Sequence, residues 1–251
     1  MSRTTFLATA LLSLSSIALA ELKGCGASQY DPAQYVCYDN SFLCPIIAGE
    51  PLSFCAGACY SKFMYQCVSN TLAELPQVAQ GTPIGLTASN PSLAIDGKPI
   101  TACGQHWSIG GQTCSYCPEA VVGSSCPAGK DTVIAASDGG ASMDVMVPGG
   151  QLVYLGPDWN VHYTQAHSAY IPSGSIVTGL KAYHGGGFVN LNGNGYGWVA
   201  CPPTAAGGGG ENGWNLVAKN SSNAGNLNNC YAVNLKVNEL PAGTVGAWQY
   251  T

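Results

Sequence analysis

Charge is what this chain has least of. Only 8% of its 251 residues are Asp, Glu, Lys or Arg, the formal net charge is −5, and the single arginine stands at position 3. Recognition of nucleic-acid phosphate needs clustered cations, so that class of partner is excluded. Long apolar runs are missing as well. The stretch from Phe6 to Ala20 is too short and too interrupted by serine for a bilayer span, so no membrane partner is expected. The final residues, Trp248-Gln249-Tyr250-Thr251, make no apolar tail of the lipid-anchor type. No long stretch repeats its apolar residues at helical spacing, and the Gly-x-Ser-x-Gly elbow of serine hydrolases does not occur.

What is present begins with an export signal. Arg3, the apolar stretch after it and the small-x-small site Ala18-Leu19-Ala20 read as a signal peptide over residues 1–20. All twelve cysteines lie beyond it. An even number in an oxidising compartment predicts disulfides rather than metal ligands or reactive thiols. Six fall in one group (Cys25, Cys37, Cys44, Cys55, Cys59, Cys67) and six in another (Cys103, Cys114, Cys117, Cys126, Cys201, Cys230). Many pairings are possible within each group, and sequence does not choose among them. Cys114-Ser115-Tyr116-Cys117 beside His106 has some look of a zinc site, but a disulfide loop suits a secreted, evenly paired set better. No metal and no cofactor are expected.

Residues 21–68 read as a disulfide-rich module. The 43 residues from Cys25 to Cys67 hold six cysteines and eight aromatics. So short a segment cannot bury enough apolar surface to fold without staples. Once stapled, it has more rings than its interior can hide. Turn residues such as Asp31-Pro32, Asp39-Asn40 and Gly49-Glu50-Pro51 predict short strands, with one helical turn near Tyr60 to Tyr65. Residues 69–80 read as a connector, with a helical turn that ends before Pro76.

Residues 81–251 read as a second, all-β domain. Val233, Leu235 and Val237 alternate with polar residues, the pattern of a half-buried strand. Met143, Val145 and Val147 alternate likewise and precede Pro148-Gly149-Gly150, which predicts a hairpin with Leu152 to Leu155. Further strands are expected at Ile84 to Thr87, Val133 to Ala136, Ser175 to Ala182, Phe188 to Leu191, Trp198 to Cys201 and Trp214 to Ala218. The expected class is all-β, with the stapled module followed by a β-sandwich or small β-barrel. A β-trefoil is the competing architecture, although no internal repeat favours it. Gly193 to Gly197 reads as a turn, Gly207 to Gly210 and Asn220 to Asn229 as loops. Asn220-Ser221-Ser222 is an N-glycosylation sequon, which marks that loop as exposed.

The text CG…QYDPAQYVCYDNSFLCP, followed by Gly49, Cys55, Ala58-Cys59-Tyr60 and Tyr65-x-Cys67, resembles carbohydrate-binding module family 52. That family is the cysteine-rich domain attached to fungal endo-1,3(4)-β-glucanases. The resemblance implies binding to β-1,3-glucan of fungal cell walls and implies no catalysis. The second domain is similar to fungal secreted proteins described as IgE-binding or phialide-type cell-wall proteins. It shares the segments LTASNPSL, YTQAHSAYIPSGSIVTG, GWVACP and WNLVAKNSSN…NC…VNLKV with them. This second likeness implies a secreted, wall-associated protein and no defined activity.

A neutral polysaccharide also suits the composition, because one face of a pyranose packs on aromatic rings while its hydroxyls need polar partners. Tyr30, Tyr35, Tyr38, Phe42, Tyr60 and Tyr65 are the candidate rings. Asp31, Gln34, Asp39 and Asn40 are the candidate hydrogen-bonding groups. The alternative is that these tyrosines pack over the disulfides. In the second domain Trp198 and Trp214 read as core and Trp159, after Pro157-Asp158, as the better exposed ring. A glycosidase needs two placed carboxylates, yet no Glu-x-Asp-x-x-Glu strand is present. Asp138, Asp144 and Asp158 lie closest together, yet Asp138 and Asp158 read as turn residues. The expectation is a secreted, non-catalytic glucan binder. A glucan hydrolase with an unrecognised site, and an effector or allergen localised by its module, are the alternatives.

Overall fold

The computed structural model describes residues 21–192, 197–203, 213–219 and 227–251. Almost every regular element among them is a strand, so the all-β class is borne out; the exceptions are a short helix, Glu119–Val122, and a 3-10 turn, Gly123–Ser125.

The N-terminal module is a row of hairpins. β1 (Lys23–Cys25) pairs with β2 (Ser28–Tyr30), and β3 (Tyr35–Tyr38), β4 (Phe42–Ile47) and β5 (Glu50–Pro51) form a small sheet. β6 (Ser53–Cys55) pairs with β7 (Ala58–Tyr60), and β8 (Tyr65–Val68) with β9 (Thr71–Glu74). Tight connections need residues that tolerate left-handed backbone, and Asp39, Asn40, Ser69 and Asn70 supply them with φ of 50°, 53°, 48° and 58°. The single helical turn expected near Tyr60 to Tyr65 lies between two strands, with the Ser61 carbonyl accepting from Met64 N at 3.1 Å and Tyr65 N at 3.0 Å. Thr71–Glu74, inside the stretch read as a connector, is a paired strand.

The module is one unit built twice. Lys23↔Tyr30, Gly24↔Gln29 and Cys25↔Ser28 in the first hairpin recur thirty positions later as Ser53↔Tyr60, Phe54↔Cys59 and Cys55↔Ala58. Cys25, Tyr30, Tyr35, Cys37 and Asn40 match Cys55, Tyr60, Tyr65, Cys67 and Asn70 at the same offset. The disulfides Cys25–Cys37 and Cys55–Cys67 both span 12 positions. Cys44–Cys59 joins the copies. Between these cysteines and tyrosines the side chains differ, which makes the repeat faint in the sequence, and Ser41 lengthens the first copy's β3–β4 loop by one residue.

The second region is organised by β10 (Pro83–Ser89), β11 (Ile100–Cys103), β12 (His106–Ile109), β13 (Ser115–Tyr116), β14 (Ile134–Ser137), β15 (Gly140–Met143), β16 (Gln151–Leu155), β17 (Val161–Tyr163), β18 (Leu180–Ala182), β19 (Phe188–Asn190), β20 (Trp198–Cys201), β21 (Trp214–Ala218), β22 (Tyr231–Glu239) and β23 (Gln249–Tyr250). Ten of these strands form one sheet in the order β11-β12-β17-β16-β15-β14-β10-β22-β20-β21. The path returns on itself, since β21 also pairs with β12 and Val217 bridges Asn160 beside β17. Alternation does what it predicts: Val233, Leu235 and Val237 point inward with Ile84, Leu86 and Ala88 from β10. At the centre Phe188 stacks on Trp198 with ring centroids 6.0 Å apart, and Trp107 tilts against Phe188 at 5.8 Å. Buried Gln151 holds β23 by accepting from Tyr250 N at 2.8 Å and donating to Tyr250 O at 3.0 Å.

Differences from expectation fall on short or irregular stretches. β11, β12 and β17 have only three or four residues each, too few for alternation to register. β15 ends at Met143, and Val145 makes an isolated parallel bridge to Ala247 instead of continuing the hairpin. Of Ser175 to Ala182 only the last three residues are a strand. Cys114 and Cys117 belong to different bonds, to Cys103 and Cys126 respectively, and Cys201 pairs with Cys230.

The two regions are in close contact. Phe63 is buried and its carbonyl accepts from Gly187 N at 2.9 Å. Gln77 bridges Tyr183, Tyr183 donates its hydroxyl to Glu74, and Lys181 lies 3.5 Å from the same carboxylate. Ser89 donates to Glu50 at 3.3 Å, while Lys62 pairs with Glu50 at 2.6 Å.

Candidate functional site

Three half-cystines and one alanine, Cys25, Cys44, Cys55 and Ala48, are the buried apolar residues of the module besides Phe63. Cross-links therefore occupy the place a core would fill, and the rings are left at or near the surface. Tyr35 is exposed, and Tyr30, Tyr38, Phe42, Tyr60 and Tyr65 are half-buried.

These rings have different neighbours. Tyr38 stacks on Phe54 at 5.8 Å and Phe42 tilts against the same ring at 4.7 Å. The Tyr38 hydroxyl donates to the Leu52 carbonyl at 3.0 Å. Phe54 is thus the centre of a small aromatic cluster that the sequence reading did not single out. Tyr30 and Tyr35 instead flank an exposed turn. There the Asp31 carbonyl accepts from Gln34 N and Tyr35 N at 3.0 Å each, and its carboxylate accepts from Ala33 N at 2.8 Å and from the Gln34 amide at 3.2 Å. Each carboxylate oxygen keeps further acceptor capacity, and the Gln34 carbonyl is an acceptor too. Asp39 is exposed in the β3–β4 turn. Asn40 has a structural partner, accepting from Gly26 N at 3.3 Å. Tyr60 and Tyr65 flank the matching turn of the second copy, which faces the β region.

The β region offers less. Trp107 and Trp198 are buried, while Trp159 and Trp214 are half-buried against the core. Trp159 has φ of 64°, a strained backbone for a bulky residue. Asp158 is occupied by its own turn: it accepts from Asn160 N at 3.2 Å, from the Asn160 amide at 2.8 Å, and lies 3.1 Å from His162 Nε2. Burial raises its pKa, but these partners outweigh burial and hold the carboxyl below its ordinary value. Asp144 is shifted upward by burial. Asp138 is exposed. Among the described residues no three His, Cys, Asp or Glu side chains converge as metal ligands would. A cleft of about 210 Å3 lies between the two regions, walled by Phe63, Phe188, Trp198 and Leu235. Asn220 lies outside the described residues.

Two family models match the chain. One described as carbohydrate binding covers residues 24–72, and one described as PhiA-like secreted protein covers residues 84–251. The first is a broader description than the numbered family suggested by the resemblance. An uncharacterized secreted protein of Arthroderma benhamiae is 36% identical over 205 residues, which is 72% of this chain and 97% of that relative. The primary septum glucan endo-1,3-beta-D-glucosidase of Schizosaccharomyces pombe is 45% identical over 49 residues, 20% of this chain and 5% of that enzyme. No solved structure matches. The chain carries a carbohydrate-binding domain and is extracellular, and it belongs to the PhiA-like secreted protein family.

Proposed function

We propose that this protein is a non-catalytic binder of cell-wall β-1,3-glucan, held on the polymer by rings that its stapled module leaves open. The observation that carries the reading is the Tyr30 to Tyr35 turn, where two tyrosines flank acceptors of the type sugar hydroxyls seek, on a surface with little charge. The septum glucanase supports the choice of glucan, because its likeness to this chain spans 49 residues and so amounts to a module rather than a whole enzyme. Each stacked ring contributes on the order of 1 kcal/mol. Retention on a wall therefore depends on many weak contacts along a repeating polymer and among many protein copies. Association with the wall follows, with the β region displayed there. A non-catalytic reading is supported by Asp158 being taken up by its own turn.

The purified protein is mixed with insoluble β-1,3-glucan, cellulose and chitin and sedimented. Enrichment in the β-1,3-glucan pellet, without release of reducing sugar, is the expected result. Complete recovery in the supernatant contradicts glucan binding. Sugar release that disappears on mutating one carboxylate contradicts the non-catalytic reading.

A further inference from the structure

The two copies inside the module fold alike but meet different surroundings. In the first turn the Asp31 carbonyl accepts from Gln34 N and Tyr35 N; in the second the Ser61 carbonyl accepts from Met64 N at 3.1 Å and Tyr65 N at 3.0 Å. The side-chain cap recurs too, with Asp31 accepting from Ala33 N and the Ser61 hydroxyl accepting from Phe63 N at 3.3 Å. Tyrosines flank both. What changes is the turn's own chemistry: Asp-Pro-Ala-Gln in the first copy becomes Ser-Lys-Phe-Met in the second.

That exchange matches where each turn goes. Phe63 is buried against the β region, and its seat requires glycine. A Cβ on Gly186 would stand 2.7 Å from the Phe63 carbonyl oxygen, and one on Gly187 would stand 2.9 Å from Phe63 Cβ. In the first turn Ala33, Gln34 and Tyr35 are exposed, and among the described residues no hydrogen bond ties residues 30–35 to the β region. An apolar Phe63 would be poorly placed in water, just as Ala33 and Gln34 would fill the Gly186–Gly187 seat badly.

We propose that the copies divide the work: the first turn grips a neutral β-glucan chain with Tyr30, Tyr35, Asp31 and Gln34, and the second is a foot fixing the module to the β region. The gripping half rests on the proposed function; the foot does not. One module then offers one grip, and the β region is carried at a set orientation to the polymer rather than on a loose tether.

The test uses the full chain, depletion isotherms on insoluble β-1,3-glucan, and protease cleavage within residues 75–82. Tyr30→Ala and Tyr35→Ala should each weaken binding about fivefold, and Tyr60→Ala should change it less than about twofold. Phe63→Ala should leave binding within about twofold but accelerate cleavage of the connecting segment about tenfold, since opening the contact frees it. Equal losses at Tyr35 and Tyr60 in a wild type that binds overturn the division of work alone. A wild type that never binds overturns the proposed function and the gripping half with it. Unchanged cleavage in Phe63→Ala overturns the foot, whatever the glucan result.

Discussion

The module and the β region solve the problem of a folded interior in opposite ways. Around β10 and β22 the chain buries Ile84, Leu86, Val233, Leu235 and the rings of Trp107, Phe188 and Trp198 in one contiguous core. Between Cys25 and Cys67 almost nothing but sulfur and Ala48 is buried, apart from Phe63, which leans on the neighbouring region. A core held by hydrophobic burial must keep its aromatics inside. One held by cross-links need not, because the bonds restrict the unfolded chain whatever its side chains do. The stapled region is therefore where a surface of rings is affordable.

The largest expected effect breaks the β side of this contrast. Trp107→Ala should cost about 3–5 kcal/mol of stability, since a buried ring of that size leaves a cavity, and a drop in the midpoint of denaturant unfolding reads it. Next, replacing Cys25 and Cys37 by serine should cost the module about 3 kcal/mol. Glucan retention should vanish while the unfolding transition of the β region persists, and loss of that transition would show the two regions to be one cooperative unit.

How much of this was legible in the sequence follows the same division. Strands β10 and β22 were readable because their alternation runs for seven and nine residues, and β20 and β21 because short apolar runs led by Trp198 and Trp214 mark buried strands. β11, β12 and β17 were not, since three or four residues bounded by turns carry no period. In the module the cysteines and tyrosines declared a stapled, ring-rich surface. The twofold construction is faint in the sequence because its matches, Cys25, Tyr30, Tyr35, Cys37 and Asn40 with their partners thirty positions on, are separated by residues that differ. Which rings face the β region was also hidden. Nothing local to Phe63 says that Gly186 and Gly187, more than a hundred positions away, leave room for it.

A smaller effect concerns the seam. Gly187→Ala should loosen the foot by pressing a methyl group against Phe63, raising protease cleavage of the connecting segment several-fold with glucan affinity unchanged. The smallest is a pH effect. Hydrogen bonding from Tyr183, aided by Lys181 against opposing burial, holds the Glu74 carboxyl below its ordinary value of 4.5. A group whose pKa falls on folding stabilises above its unfolded pKa and loses that contribution as pH drops through the folded one. The seam should therefore be intact above about pH 5 and weaken progressively below 4.5. Glu74→Gln should flatten that dependence when cleavage is followed against pH.

Hydrogen exchange in the presence of a soluble β-1,3-glucan oligosaccharide tests the central claim most directly, because it asks the molecule where sugar sits. Slowed exchange in peptides covering residues 30–36, with the β region unchanged, is the predicted pattern. Slowed exchange confined to the β region, with the Tyr30 to Tyr35 turn unaffected, would contradict it.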